Sequence, residues 1–206
     1  MINTLIEKYP SLSVCRNEIE KATEMIYKSY RNGGKLLACG NGGSCSDCDH
    51  IVGELMKGFL SRRGLSEDEK RRFAEYGEKG ADIAAKLQGG IPAISLPSQS
   101  AVLSAFANDV DPELVYAQLV WGYGTDKDVF LGITTSGNSK NVVAACMTAK
   151  AKNMTCIGLT GKSDCKLDSL CDVVIHVPET ETYKVQELHL PVYHAICAEL
   201  EKRIFG

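Results

Sequence analysis

The chain lacks a long hydrophobic run and a strong excess of either charge. None of its apolar stretches approaches the roughly 18 residues that a membrane-spanning helix needs. Its formal net charge is −3, and its basic residues are mixed with acidic ones. No positive surface is therefore expected to attract nucleic acid or an anionic membrane. The first residues show neither a long apolar core nor a small-residue cleavage site, so we expect a soluble, cytoplasmic protein without nucleic-acid or membrane partners.

Cysteines are plentiful, but they lack the arrangement of a disulfide framework. There are nine, an odd number, and no secretory signal is expected. Cys39, Cys156 and Cys197 stand in apolar runs and are typical of small core residues. Cys45 and Cys48 form a CxxC pair, but no second pair follows at zinc spacing. We therefore interpret that pair as two positions on the first turn of a helix.

Five short apolar runs alternate with helical patterns along the chain. The runs predict buried strands at residues 35–39, 92–96, 128–133, 155–160 and 173–177. Apolar residues at helical spacing predict helices at 44–59, 138–153 and 182–204, with a kink in the last at Pro191. Strands that alternate with helices indicate a parallel sheet covered on both faces. Right-handed crossovers make this an α/β fold with a doubly wound, five-stranded parallel sheet.

Two segments fall outside this alternation. Residues 1–32 predict one or two amphipathic helices, an N-terminal extension of the fold. Residues 57–90 predict a helical insertion, in which Ser66 and Glu69 form a capping box at the start of a charged helix. We expect the insertion to cover a ligand site or a subunit contact. Because no flexible linker interrupts the chain, residues 1–206 are expected to form one domain.

Two similar loops follow predicted strands. Residues 40–45 read GNGGSC, and residues 134–139 read TTSGNS. At the start of a helix, glycines let the backbone approach an anion, while hydroxyls, unpaired N–H groups and the helix dipole favour negative charge. Neither loop has the P-loop lysine or the glycine spacing of a dinucleotide site. The pair predicts a site for a phosphorylated polyol at the carboxyl edge of the sheet, although either loop alone is also typical of a simple helix cap.

The two helices beside these loops carry candidate metal ligands. His50 and Glu54 are four residues apart on the helix after the first loop, and so share one face. Gln186 and His194 share one stripe of the last helix. Imidazole, carboxylate and amide groups suit a divalent ion, zinc foremost. A surface histidine beside Glu54 and a core histidine at position 194 are the alternatives.

These motifs together carry a family resemblance. They are GNGGS at 40–44, His50-x-x-x-Glu54, Asn108-Asp109, TSGNS at 135–139, LTGK at 159–162, and VQELHL at 185–190 followed by His194. The ordered set resembles the sugar-isomerase (SIS) domain in its phosphoheptose isomerase branch, over roughly residue 35 to the end apart from the insertion. The resemblance implies a flavodoxin-like sheet and a homotetramer with active sites at subunit interfaces. It also implies an isomerase of phosphorylated sugars, most closely sedoheptulose 7-phosphate, that works through an enediol.

The resemblance further implies roles for individual residues. The sugar and its phosphate would be bound by Asn41, Gly42, Gly43, Ser44, Asp109, Thr134, Thr135, Ser136, Ser139 and Gln186. One zinc ion per subunit would be held by His50, Glu54, Gln186 and His194. Glu54 and His194 would also be the acid–base pair. The chain departs from the branch at Gly53 and Tyr183, where acidic residues are common, and in its longer insertion.

Two other functions are compatible with the same fold. Some SIS proteins are non-catalytic, and bind a phosphosugar or the replication initiator. Proteins of the initiator-binding type lack the acid–base residues, whereas Glu54 and His194 are both present here. Other SIS domains sense phosphosugars in transcriptional regulators, but residues 1–32 are too few for a helix-turn-helix domain and carry no basic excess. An isomerase is therefore the leading hypothesis.

Overall fold

A computed structural model describes residues 1–206. Its strands are β1, Leu36–Gly40; β2, Ala93–Ser95; β3, Val129–Ile133; β4, Thr155–Thr160; and β5, Val173–His176. They form one sheet in the order β2-β1-β3-β4-β5, and every neighbouring pair is parallel. Each strand lies on one of the predicted apolar runs, so the doubly wound five-stranded sheet is confirmed.

Nine α-helices accompany the sheet. They are α1, Ile2–Lys8; α2, Arg16–Arg31; α3, Gly43–Met56; α4, Glu67–Arg71; α5, Gly77–Lys86; α6, Ser100–Asp109; α7, Val115–Tyr123; α8, Lys140–Ala151; and α9, Thr182–Phe205. The predicted N-terminal extension is α1 and α2, and the three predicted helices are α3, α8 and α9. The α9 helix continues through Pro191. No helix combines the length and the apolarity that crossing a membrane requires.

Side chains alternate across the strands and build two cores, one on each face of the sheet. Leu36 and Ala38 of β1 belong to the core formed with α1, α2, α3 and α9. Leu37 and Cys39 of the same strand belong to the core formed with α7 and α8. Because both faces are covered, every residue of β1 is buried, which explains why the strand reads as a continuous apolar run.

The insertion that follows α3 is closed at its base. Gly64 and Gln88 form an isolated antiparallel bridge. The side-chain oxygen of Gln88 also accepts a hydrogen bond from the Gly58 N–H at 2.7 Å. The excursion between these contacts therefore leaves and returns at one place near the end of α3.

Within the insertion, the predicted capping box is present but the predicted single helix is not. The Ser66 side chain accepts from the Glu69 N–H, and the Glu69 carboxylate accepts from the Ser66 N–H at 2.8 Å. The helix that starts there is short, because the chain then turns through a 3₁₀ segment at Ala74–Tyr76. Gly77 adopts a positive φ of 59°, which favours glycine. The charged helix expected here is therefore two helices, α4 and α5.

A buried ion pair joins the end of α3 to α9. The Arg63 Nε donates to Glu201 Oε1 at 2.7 Å, and the two side chains are 0% and 3% exposed. The same guanidinium donates to the backbone carbonyls of Leu55 at 2.7 Å and Glu54 at 3.0 Å. Carbonyls in the last turn of a helix have no partner within the helix. Arg63 therefore caps α3, and its charge is neutralised by Glu201 of α9.

The Glu201 carboxylate also holds the chain that leaves α3. Its oxygens accept from the N–H groups of Phe59 and Leu60 at 2.8 Å and of Ser61 at 3.1 Å. Burial alone would raise the pKa of Glu201. The hydrogen bonds from Phe59 and Leu60 and the Arg63 guanidinium outweigh burial and hold that pKa below its ordinary value.

We predict that breaking this pair strongly destabilises the protein. The Arg63→Ala change leaves the buried Glu201 without its counter-charge, so the free energy of unfolding should fall by about 3–5 kcal/mol in a denaturant titration. The control is Lys86→Ala, which removes an exposed ion pair with Asp82 and should change stability by less than about 0.5 kcal/mol. Equal effects of the two changes would contradict the prediction.

The pH dependence has a definite sign. The pKa of Glu201 is lower in the folded protein than in the unfolded chain. Its contribution to the free energy of unfolding is therefore complete above the unfolded carboxyl pKa, and is lost as the pH falls through the folded pKa. The stability difference between wild type and Glu201→Gln should therefore shrink below about pH 4.

Candidate functional site

The two predicted loops meet at the carboxyl edge of the sheet. β1 and β3 are neighbours, and Gly40 pairs with Ile133 at their ends. The chain then leaves them in opposite directions, because β1 leads to β2 on one side and β3 leads to β4 on the other. Such a reversal opens a crevice beyond the strand ends, which is where open parallel sheets bind ligands.

A pocket of about 300 Å³ occupies this crevice. It is lined by Asn41, Gly42, Gly43, Ser44, Ile133, Thr134, Thr135, Ser139, Thr182 and Gln186. Hydroxyl, amide and backbone groups dominate the lining, and no lysine or arginine is part of it. All the residues predicted to bind the sugar phosphate lie here except Asp109 and Ser136.

Three helices begin at the pocket. The α3 helix starts at Gly43, α8 follows Ser139, and α9 starts at Thr182. Each start presents unpaired N–H groups and the positive end of a helix dipole. In the absence of a cationic side chain, these helix starts and the hydroxyls supply the electrostatics that a phosphate requires.

Hydrogen bonds within and between the loops hold their shape. Gly137 takes a φ of +65°, and the hydroxyls of Thr134 and Ser139 lie 2.9 Å apart. Asn41 of the first loop exchanges two amide hydrogen bonds with Asn141 of α8, each 2.9 Å long. This reciprocal pair ties the first loop to the start of α8, directly after the second loop. Asn141 was not predicted, because it lies beyond the loop motif and resembles an ordinary helix residue.

Gly43 gives Gln186 access to the pocket. A Cβ atom at position 43 would lie 2.5 Å from Gln186 Nε2, closer than side-chain atoms approach. The absence of a side chain at Gly43 therefore lets α9 place an amide against the start of α3.

Two predicted binding residues lie outside the pocket lining. Asp109 ends α6, is exposed, and accepts a hydrogen bond from the side chain of Asn108 at 2.8 Å. Ser136 is exposed in the second loop, where its Oγ accepts from the Asn138 N–H at 3.2 Å. Their roles in binding stay predictions.

A second polar group, the histidine cluster of His50, Glu54 and His194, lies farther along α3 where it packs on α9. His50 Nε2 lies 3.3 Å from Glu54 Oε1 and 3.4 Å from His194 Nε2. The other Glu54 oxygen accepts from Lys57 Nζ at 3.0 Å, and the Glu54 side chain is only 12% exposed. The structure thus groups three of the predicted metal ligands, while Gln186 lines the pocket two turns earlier on α9.

Tyr193 and Asp47 hold the other side of the His50 ring. The Tyr193 Oη lies 3.0 Å from His50 Nδ1 and donates to Asp47 Oδ1 at 3.2 Å. Burial and the nearby Asp47 raise the pKa of Tyr193, so the phenol stays protonated. Neither residue was predicted. The sequence does hold a signal for Asp47, which lies three residues before His50 and shares its helix face. No sequence signal points to Tyr193.

Burial lowers the pKa of His194, and the neighbouring His50 lowers it further, while Glu54 opposes the shift. The imidazole of His194 is therefore mainly neutral near pH 7, a state that accepts a proton or ligates a metal.

The cluster is not a finished metal site. No group of three or more histidine, cysteine, aspartate or glutamate side chains is arranged to hold a metal ion. The donor atoms around His50 are nevertheless spaced at 3.3 and 3.4 Å. Donors that share one tetrahedral ion at ~2.0–2.1 Å lie roughly 3.3 Å apart. The two spacings to His50 Nε2 therefore fit zinc, and a fourth donor is missing from the cluster.

The pocket and the histidine cluster lie at two places along α3. Ser44 lines the pocket, and Glu54 comes ten residues later. At the usual helical rise this is roughly 15 Å along the axis. A ligand that reaches both places must lie along α3, unless a second subunit completes the site.

The sequence has relatives that match along most of the chain. SIS-domain family models match residues 12–71 and 102–199; the unmatched stretch between them contains α5. The chain is 35% identical over 188 residues to the phosphoheptose isomerase of Burkholderia pseudomallei, covering 91% of this chain and 83% of that protein. It is 37% identical over 188 residues to phosphoheptose isomerase 2 of Campylobacter jejuni, covering 91% and 81% respectively.

Solved structures show the same architecture. A phosphoheptose isomerase from Francisella tularensis has a TM-score of 0.78 and 27% identity, covering 97% of this chain and 94% of that one. The phosphoheptose isomerase from Neisseria gonorrhoeae has a TM-score of 0.76 and 28% identity with the same coverage. Since the sequence matches over nine-tenths of the chain and the fold over nearly all of it, the chain belongs to the phosphoheptose isomerase family of SIS-domain proteins.

Proposed function

We propose that the protein is an aldose–ketose isomerase that converts sedoheptulose 7-phosphate into D-glycero-D-manno-heptose 7-phosphate. One observation carries the proposal. The pocket is lined by hydroxyls and has no cationic side chain, and it lies along the same two helices, α3 and α9, as Glu54 and His194. Relatives named phosphoheptose isomerase, which match over nine-tenths of the chain, support it.

The pocket is the proposed position of the phosphate and of part of the sugar. The second loop would bind the phosphate through Thr134, Thr135, Ser136 and Ser139. The first loop and α9 would bind the sugar through Asn41, Gly42, Gly43, Ser44 and Gln186, with Asp109 nearby. The helix starts support this assignment, because they stabilise negative charge without a lysine. Binding the phosphate at one end supplies energy that orients the reacting carbons at the other.

The reaction moves one proton on carbon and one on oxygen. As a base, Glu54 takes the proton from C1 of the ketose, which gives an enediol, and returns it to C2. His194, mainly neutral near pH 7, passes the hydroxyl proton between O1 and O2. The position of Glu54 supports its role, since its side chain is only 12% exposed and its Oε1 lies 3.3 Å from His50 Nε2.

A zinc ion, one per subunit, is proposed at the histidine cluster. His50, Glu54 and His194 would supply three donors, and Gln186, two turns before His194, the fourth. The donor spacing around His50 supports this assignment. When bound, the ion would stabilise negative charge that develops on the substrate oxygens.

We further propose that residues 1–206 form one SIS domain and that the protein is a cytoplasmic homotetramer. The roughly 15 Å between the pocket and Glu54 along α3 supports an active site completed by a neighbouring subunit. A non-catalytic phosphosugar-binding protein is the alternative. It is less favoured, because the acid–base candidates are retained and lie on facing helices.

An assay of C5 to C7 sugar phosphates, with and without added zinc, tests the function. Wild-type protein should interconvert the C7 pair. The Glu54→Gln change keeps the side-chain shape but removes the base, so kcat should fall at least ~100-fold. Exchange of solvent protons into the substrate carbon should vanish with turnover. Glu67→Gln, which alters an exposed carboxylate on α4, is the control and should leave kcat unchanged. If wild-type protein converts no sugar phosphate, the non-catalytic alternative takes the lead.

A second prediction concerns the phosphate. Ser139→Ala removes one hydroxyl donor from the pocket. Hydrogen bonds to charged groups contribute ~1.5–3 kcal/mol, so kcat/KM should fall roughly 10- to 100-fold. Inhibition by inorganic phosphate should weaken in parallel. Ser169→Ala removes an exposed hydroxyl that bonds only to the Lys166 carbonyl and should change neither value. A phosphorylated substrate with unaltered kinetics in Ser139→Ala would rule out this position for the phosphate.

A third prediction concerns the metal. Protein purified without chelators should contain one zinc ion per subunit by elemental analysis, and His50→Gln should lose it. His176→Gln, which alters a histidine bonded to Asp168 and Thr160 instead, should retain the metal. A metal-free preparation with full activity would refute the zinc site.

A further inference from the structure

The buried Tyr193 and the half-buried Asp47 support His50 without taking part in the proposed proton transfers. Tyr193, 2% exposed, directly precedes His194 on α9. Asp47 lies on α3, one turn before His50. The Tyr193 Oη bridges the other two, at 3.0 Å from His50 Nδ1 and 3.2 Å from Asp47 Oδ1. The three side chains form a chain of hydrogen bonds on the side of the imidazole that faces away from Glu54.

The single proton of the phenol determines the direction of this chain. Tyr193 donates to Asp47 Oδ1, and a carboxylate can only accept. The other carboxylate oxygen, Oδ2, is buried without a partner, so the phenol proton is the one that satisfies Asp47. The Tyr193 oxygen is then an acceptor toward His50. It follows that Nδ1 of His50 carries the ring proton.

This direction leaves the opposite nitrogen without a proton. His50 Nε2 then presents a lone pair to Glu54 Oε1 at 3.3 Å and to His194 Nε2 at 3.4 Å. Glu54 competes for the same proton, but its contact with the imidazole is longer than that of Tyr193. An unprotonated nitrogen beside a carboxylate forms an electron-rich site, which a cation or an N–H of His194 satisfies.

The ring of Tyr193 also fixes the orientation of both histidines. It packs edge-on to His50 with ring centroids 5.5 Å apart and to His194 with centroids 5.0 Å apart. A phenylalanine would keep these contacts. The hydroxyl therefore has a separable role, which is the choice of nitrogen that carries the proton.

We propose that Tyr193, oriented by Asp47, is a positioning residue that fixes His50 in the Nδ1–H tautomer and aims the Nε2 lone pair at Glu54 and His194. The consequence for the metal rests on the proposed function, but the tautomer is a property of the metal-free protein. Histidine ligands usually have their second nitrogen held in this manner, and loss of the holding group costs ~10- to 100-fold in metal affinity.

Nitrogen-15 NMR of metal-free protein labelled at histidine, recorded at a pH where the imidazoles are neutral, tests the proposal directly. The chain has four histidines, and His50→Gln identifies the signals of His50. In wild type, Nδ1 of His50 should carry the proton. In Tyr193→Phe the proton should move to Nε2, where Glu54 accepts it. In Asp47→Ala the phenol loses its acceptor and turns to donate to Nδ1, so the proton should again move to Nε2.

The matched control is Tyr116→Phe. Tyr116 is another buried tyrosine, and its hydroxyl donates to the Gly40 carbonyl at 2.8 Å. Loss of the Tyr116 hydroxyl should leave the His50 tautomer and the zinc affinity unchanged. Zinc affinity, measured by competition with a chromophoric chelator, should fall ~10- to 100-fold in Tyr193→Phe, with thermal unfolding close to that of Tyr116→Phe.

The outcomes separate this inference from the proposed function. A wild-type His50 protonated at Nε2, or a tautomer that is the same in wild type, Tyr193→Phe and Asp47→Ala, would overturn it. If the tautomer moves as expected but wild-type protein binds no zinc, the positioning role stands and the zinc proposal fails. If Tyr193→Phe does not fold, Asp47→Ala still tests the proposal, because the proton of His50 is expected to move to Nε2 in that variant too.

Discussion

The buried pair of Arg63 and Glu201 fixes how α3 and α9 lie against each other, and the candidate site is built largely on those two helices. Burying two charges is costly, so such a pair adds little net stability compared with apolar residues of the same shape. Its value here is geometric. The guanidinium binds the last carbonyls of α3, and the carboxylate binds the chain that leaves it. The turn of α3 that carries Glu54 is thereby held against the helix that carries His194.

The site divides its electrostatic tasks along α3. At the start of the helix, backbone N–H groups and hydroxyls line the pocket, where they can stabilise negative charge without a counter-ion. Ten residues later, the charge is a carboxylate that is mostly shielded from water and contacts His50 and Lys57. The first environment suits a permanent anion. The second places a carboxylate, shielded from water, 3.3 Å from an imidazole nitrogen.

The sequence predicts the features that depend on neighbours along the chain. Buried strands, glycine-rich turns and the capping box at Ser66 are local patterns, and all are present. The α7 helix was not predicted. Its sequence, VYAQLVWGY, is apolar on most sides of the helix, so the helical periodicity of its apolar residues is weak. The contact between His50 and His194 joins positions 144 residues apart. Spacing alone could not predict it, and the family resemblance supplied the expectation. Arg63, Asn141 and Tyr193 act through tertiary contacts that no local pattern encodes.

The closed base of the insertion affects how the length of the insertion can change during evolution. Because the Gly64–Gln88 bridge brings the ends of the excursion together, its interior can lengthen or shorten at little thermodynamic cost. Each doubling of a flexible loop costs only ~0.6 kcal/mol. The helices α4 and α5 pack mainly on each other and on the 3₁₀ segment between them, not on the sheet. This point of the architecture can therefore accept a new segment, natural or grafted, while the catalytic framework beneath it keeps its shape.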